Sequence, residues 1–151
     1  MDTGHWNFHI EFDIEQWHGF IYRISNTITG QQYIGKKAFH SVTRRKVKGK
    51  KNRKVIKKES KWREYTGSST HLNADIEKYG KENFLFEIES LHQTKASLYY
   101  AEVEKQVKEN VLREKIKDGI NKYYNRQIGS VKFMPPEETL LESQHKKMPL
   151  R

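Results

Sequence analysis

Tyr22 and Tyr33 stand eleven residues apart, in Phe20-Ile21-Tyr22 and Tyr33-Ile34-Gly35, with a turn around Thr29-Gly30 between them. A phenol can hydrogen-bond an oxygen anion. It can also take a proton, but its free pKa is near 10, so that role needs a cation close by. Cations follow at once. Lys36 and Lys37 come directly after the motif glycine, and Arg44, Arg45, Lys46, Lys48, Lys50, Lys51, Arg53, Lys54, Lys57 and Lys58 come soon after. Arginine forks and lysine point charges are the side chains that hold phosphate. Phosphate chemistry is therefore the candidate, although two strand tyrosines are also common structural residues.

The elements that must position these groups can be read locally. Residues 19–24 form a strand, 25–31 a turn with Gly30 supplying positive φ, and 32–36 a second strand. The basic stretch over 36–61 repels itself and cannot pack internally, so it reads as a mobile loop or ribbon that orders on a phosphate backbone. Ser68-Ser69-Thr70 reads as an N-cap, followed by Leu72, Ile76 and Tyr79 at helical spacing and by Gly80 as C-cap. Residues 83–90 alternate as a third strand. A longer helix covers 95–112 with the stripe Ala96, Tyr99 or Tyr100, Val103, Val107 and Val111. The aromatic segment 5–18 is an extra strand or a capping arm. Pro135-Pro136 followed by acids and Leu140-Leu141 reads as a short tail helix.

Composition sets the frame. The chain has 151 residues, 34% of them hydrophobic, and a net charge of +10, which fits one domain with a modest core and a polyanionic partner. Cysteine is absent, which excludes disulfides and thiolate metal sites. His5 and His9 have no further ligands clustered near them in sequence, so zinc has no support. No Gly-x4-Gly-Lys-Ser/Thr loop is present. No apolar run approaches a membrane span and no secretory signal is seen, so the expectation is a soluble protein of the cytoplasm.

The ordered set of motifs resembles the GIY-YIG nucleases. Besides the two tyrosine motifs it includes Tyr65-Thr66-Gly67-Ser68-Ser69 before a helix and Gly80-Lys81-Glu82-Asn83-Phe84 before the third strand. It also includes Leu98-x3-Glu102 on the next helix and Tyr124-Asn125 after it. The likeness spans about residues 19–128 and looks closest to small phage-type members with a long basic insertion. The family's first glycine is replaced by Phe20, with Gly19 one position earlier; that glycine starts a strand and does no chemistry. The resemblance implies an α/β (α+β) fold with a three-stranded, mainly antiparallel sheet flanked by helices and a long basic insertion loop over about 40–61. An arm over 1–18, a nuclease domain over 19–130 and a tail over 131–151 would make up the chain. The expectation is that the tail is too short for a separate DNA-binding module.

The resemblance also implies site residues. Glu102 matches the helix carboxylate that binds Mg²⁺ or Mn²⁺; read alone it is a solvated helix acid like Glu104 or Glu109. Tyr22 matches the tyrosine proposed as general base, and Tyr33 the one that hydrogen-bonds within the site. Asn125 matches an asparagine that orients a side chain or phosphate, and would otherwise be a turn residue. A phosphate-holding arginine is expected after the second motif. Arg44 is nearest by offset, with Arg45, Arg63 and His40 as competitors. Lys36 or Lys37 could face the phosphate. His40, Arg45, Lys46, Lys48, Lys50, Lys51, Arg53, Lys54 and Arg63 would touch nucleic-acid backbone. The implied activity is metal-dependent hydrolysis of DNA, double-stranded by expectation, in a homing-type role on a phage or mobile element. One site cuts one strand, so a double-strand break would need a homodimer or two encounters. A binding protein that keeps the fold without catalysis, or a basic protein facing an acidic partner, are the competing readings.

Overall fold

The computed structural model describes residues 1–52, 54–137 and 140–142. Strands β1 (Gly19–Asn26) and β2 (Gln32–Ala38) form an antiparallel hairpin. Its turn is set by Asn26, whose Oδ1 accepts from the backbone N–H groups of Ile28 and Thr29, and by Gly30 at φ 85°. The hairpin leads into a two-stranded ribbon, β3 (His40–Arg45) and β4 (Lys54–Glu59). Helix α1 (Thr70–Tyr79) is capped by the Ser69 hydroxyl, which accepts from Leu72 N–H. Then come β5 (Phe84–His92), α2 (Lys95–Lys108) and a two-residue β6 (Leu141–Glu142). The main sheet has the order β2-β1-β5-β6.

Strand β1 lies inside this sheet and is covered on both faces, so its residues 19–22 are buried in succession. One face packs Phe20, Tyr22 and Ile24 with Phe86 and Ile88, under Trp6, Phe39, Trp62 and Leu72. The other packs Ile21 with Ile34, Leu98, Val111 and Tyr123. The N-terminal arm closes the first face. Trp6 Nε1 donates to Trp62 O at 2.6 Å, and Asn7 exchanges backbone hydrogen bonds with Phe86 and Ile88. Aromatic area thus supplies much of a core that the chain's sparse aliphatic content could not build alone.

Several expectations change. The sheet has four strands, and a separate two-stranded ribbon accompanies it, where one three-stranded sheet was expected. The basic segment takes the ribbon form rather than a loop: Thr43 pairs with Ile56, Val42 with Lys57 and Val55 with Arg44, and Gly49 turns it at φ 81°. Leu141 joins β6 beside β5 instead of a tail helix; Glu138 and Thr139 lie outside the described residues. The arm takes the capping form, with a single bridge at Asn7 and a short 3₁₀ turn over Ile14–Gln16. Helix α2 is one residue out of phase with the expected stripe. Val107 is 61% exposed, while Ser97, Leu98 and Gln106 are buried. The helix also ends at Lys108, and Val111 reaches the core from beyond it. No helix among the described residues is long and apolar enough to cross a membrane.

His5 links the arm to proton concentration. Its ring stacks on Phe86 at 3.9 Å and its Nε2–H donates to Tyr65 O at 2.9 Å, which leaves Nδ1 buried and unprotonated. Burial first, then the Lys81 ammonium, lowers its pKa from 6.5 to about 4. Between those values the unfolded chain binds the proton and the folded chain does not, so stability falls as pH drops through that window. Thermal unfolding at pH 7 and pH 5 should show this loss in the wild type and a smaller one in His5→Gln. Equal losses would refute the assignment.

Candidate active site

Tyr22 on β1 stands opposite Gly35 on β2, and both tyrosines project from the same face of the hairpin. Their rings lie 6.1 Å apart and inclined by 33°, with Tyr65 edge-on to Tyr22 at 6.1 Å. A Cβ at position 35 would stand 2.5 Å from the Tyr22 hydroxyl and 2.9 Å from the Tyr33 ring. Only glycine allows the two phenols to crowd there. Gly67, at φ 82°, closes the same corner from the loop before α1. Asn73 holds that loop by donating to the carbonyls of Gly67 and Ser69.

Strand β2 is the sheet's outer strand, so alternate N–H groups face away from β1 and need partners. The segment after α2 supplies the first ones. Gln32 N–H donates to Lys122 O, and Tyr124 N–H returns a bond to Gln32 O. At the next rung the Asn125 side chain replaces a strand. Its Oδ1 accepts from Ile34 N–H at 3.1 Å and its Nδ2 donates to Ile34 O at 2.8 Å. Gln106 of α2 donates to the same carbonyl at 2.9 Å. At the third rung the Glu102 carboxylate stands beside Lys36, whose Nζ lies 4.0 Å from Oε1.

A cleft of about 500 Å³ wraps this edge. Tyr33, Ser68 and His71 line it from the α1 side, Tyr99, Glu102 and Gln106 from α2, and Asn125 and Arg126 from the segment beyond. A second cleft of about 300 Å³ is lined by Lys36, Lys37, Tyr65 and Lys95, and shares Tyr99 with the first. Glu102 is 19% exposed, and its Oε1 lies 4.0 Å from Lys36 Nζ. Burial raises the Glu102 pKa, partly offset by the Lys36 ammonium and backbone N–H. Tyr22 is 1% exposed, and burial, then Tyr33, Tyr65 and Glu102, push its phenol well above the ordinary value. Tyr33 is raised by burial and by Glu102, against a hydrogen bond with Ser68. Burial lowers Lys37, whose ammonium sits 4.3 Å over the Tyr65 ring.

The structure therefore brings together Tyr22, Tyr33, Lys36, Glu102 and Asn125, with Lys37 in the adjoining cleft. It does not bring Arg44 to them. Arg44 and Arg45 lie at the outer end of β3, exposed, because the ribbon carries them away from its root at Phe39 and Ser60. Lys46, Lys48, Lys50, Lys51 and Lys54 are exposed around the ribbon's turn, and Arg53 lies outside the described residues. His40 Nε2 meets Glu15 Oε2 at 3.1 Å. Arg63 bonds Glu59 and the Asp2 carbonyl and stacks on Trp62 at 4.5 Å, so it fastens the arm. Several cleft residues escaped the sequence reading, Arg126 and His71 among them. Arg126 follows Asn125 directly, so its neighbour was the available signal; His71, in the first turn of α1, carried none. Burial and the neighbouring Tyr33, Tyr65 and Glu102 all favour the neutral form of the Tyr22 phenol, against the general-base role.

A family model described as "Putative endonuclease segE, GIY-YIG domain" matches residues 4–128. No curated protein and no solved structure matches the chain.

Because Asn125 spans both polar groups of a buried rung, Asn125→Ala should destabilise the fold by about 1–3 kcal/mol. Hydrogen exchange at the Ile34 amide should accelerate more than at Ile24 on the interior strand. Unchanged protection at Ile34 would show that the clamp does not hold the edge.

Proposed function

The chain belongs to the GIY-YIG endonuclease family, and from that premise we propose that it hydrolyses DNA phosphodiester bonds with a divalent ion held by Glu102. One observation carries the reading: a largely buried carboxylate lines a cleft together with Tyr33, His71 and Arg126, with the Lys36 ammonium 4.0 Å away. Among the described residues no group of three or more His, Cys, Asp or Glu could hold a metal. A full protein cage is thus not what this site offers. One carboxylate suits Mg²⁺ or Mn²⁺, hard ions that keep several waters and share substrate phosphate oxygens. When bound, such an ion offsets phosphate charge and lowers the pKa of water.

The chain's own groups then take distinct parts. Glu102 must be ionised, and the Lys36 N–H favours that form. The Lys36 ammonium, beside Glu102, offsets charge on the phosphate. Arg126 lines the cleft with its Nη1 donating to the Tyr123 and Asn125 carbonyls, and its other N–H groups take the phosphate-holding part that offset assigned to Arg44. Tyr33 meets the substrate and orients the attacking water through its hydroxyl. Tyr22 keeps its proton and supports Tyr33 and Gly35 from behind; this departs from the base role that the family resemblance implied for it. Asn125 positions strand β2 rather than the phosphate. A homing-type role on a phage or mobile element remains our reading from the family resemblance, and a double-strand break would require a second copy or a second encounter.

Purified protein with supercoiled plasmid and Mg²⁺ or Mn²⁺ should give nicked product that EDTA abolishes. Glu102→Gln should lower the rate by roughly 10²–10³-fold or more. An acid whose folded pKa is raised loses stability as pH rises through that value. The same substitution should therefore raise the thermal midpoint of the metal-free protein at pH 8, and remove the upward shift that Mg²⁺ gives the wild type. No nicking from the wild type, together with DNA binding, would favour the non-catalytic reading.

The two phenols should separate in kinetics. Tyr33→Phe should lower kcat by about tenfold or more with KM little changed. Tyr22→Phe should act mainly on stability. A larger kcat loss at Tyr22 than at Tyr33 would reverse the assignment.

A further inference from the structure

The β3–β4 ribbon has two unlike faces, because residues directly opposite in an antiparallel pair share a face. On one face lie His40 with Glu59, Val42 with Lys57, and Arg44 with Val55. This face is turned to the protein at its root. Glu15, in the arm's 3₁₀ turn, stands 3.1 Å from His40 and 3.7 Å from Lys57, and Glu59 is bound by Arg63 and Trp62. On the other face lie Ser41 with Lys58, Thr43 with Ile56, and Arg45 with Lys54. It holds three cations and two hydroxyls, and no acid. Among the described residues no ion pair involves Arg45, Lys54 or Lys58.

We propose that this second face enters the major groove of B-form duplex DNA and supplies the site selectivity of the nuclease. The proposal rests on the DNA reading above. Two strands about 4.8 Å apart, with their side chains, need a slot of roughly 10 Å. The major groove is about 12 Å wide and admits such a ribbon; the minor groove, about 6 Å wide, does not. The deep, narrow major groove of duplex RNA does not admit it either. Arg45 at the outer end can bond guanine O6 and N7, the hydroxyls of Thr43 and Ser41 can reach base edges, and Lys54 and Lys58 face the phosphate rims. Lys46, Lys48, Lys50 and Lys51 follow around the turn, where they meet the backbone beyond the groove. The root of the ribbon adjoins the lysine-lined cleft at Ala38, and that cleft leads past Tyr99 to Glu102. One docked duplex can therefore occupy ribbon and cleft together.

Binding read in EDTA, by fluorescence anisotropy on a labelled mixed-sequence 24-base-pair duplex, tests this without metal-driven cleavage. The groove assignment and the nuclease reading can then fail separately. Arg45→Ala/Lys54→Ala/Lys58→Ala should weaken binding about tenfold or more and lower the salt slope by roughly 2 to 3. Arg44→Ala/Lys57→Ala, on the opposite face, should change affinity by less than about threefold. The substituted side chains are exposed, and thermal unfolding checks that each variant folds. With wild-type protein, methylating guanine N7 should weaken binding, a minor-groove ligand should leave it unchanged, and duplex RNA of the same sequence should bind more weakly. Equal losses from the two faces would overturn the proposal. So would indifference to N7 methylation, or duplex RNA bound as tightly as DNA.

Discussion

The outer edge of β2 governs the candidate site. An edge strand presents N–H groups that must be satisfied, and here Lys122 and Asn125 satisfy two in succession, at Gln32 and Ile34, with the Glu102 carboxylate beside Lys36 at the next rung. Beyond the second partner stands an acid rather than a peptide carbonyl. The helix that lies along the edge thereby puts a carboxylate at the strand's rim, next to tyrosines that reach the same rim from the opposite face. The cleft exists because helix α2 and the segment after it meet β2 side-on.

That arrangement works against stability in places. The inward side of α2 carries Glu102 and Gln106 where aliphatic residues would bury more apolar area. Burial disfavours the charged forms of Glu102, Tyr22 and Lys37 at once. The offset comes from elsewhere: the arm brings Trp6, Phe8 and Phe12 against Phe39 and Trp62. Behind the sheet Arg23 bonds Glu89 and Gln32 and lies 3.5 Å from Glu109. These contacts share strand β1, so rigidity at the sheet centre is passed to the hairpin that holds the tyrosines.

The basic segment shows how net charge misleads about structure. Its lysines and arginines do repel one another, but they are spread over two strand faces, and β-branched residues stand opposite one another at Thr43–Ile56 and opposite basic residues at Val42–Lys57 and Val55–Arg44. The acids that neutralise one of those faces come from the arm and from Glu59. His40 and Arg63, counted with the basic run in sequence, are used up in those ties.

Local signals were enough for much of the fold. The hairpin followed from β-branched runs around Gly30, α1 from the Ser69 cap and Gly80, and β5 from the alternation of Phe84, Phe86 and Ile88. Tyr22 and Tyr33 were legible because a two-strand hairpin aligns them through short-range geometry. Glu102 and Asn125 were reachable only through the ordered set of motifs, since nothing local separates Glu102 from Glu104. Tertiary structure alone decided the phase of α2, because polar residues face a polar edge and the apolar stripe then points the wrong way. It alone decided that Arg126 and His71 reach the cleft while Arg44 does not, and that Leu141 pairs with β5. Each of these depends on partners tens of residues distant, where chain topology and burial outweigh anything a local pattern records.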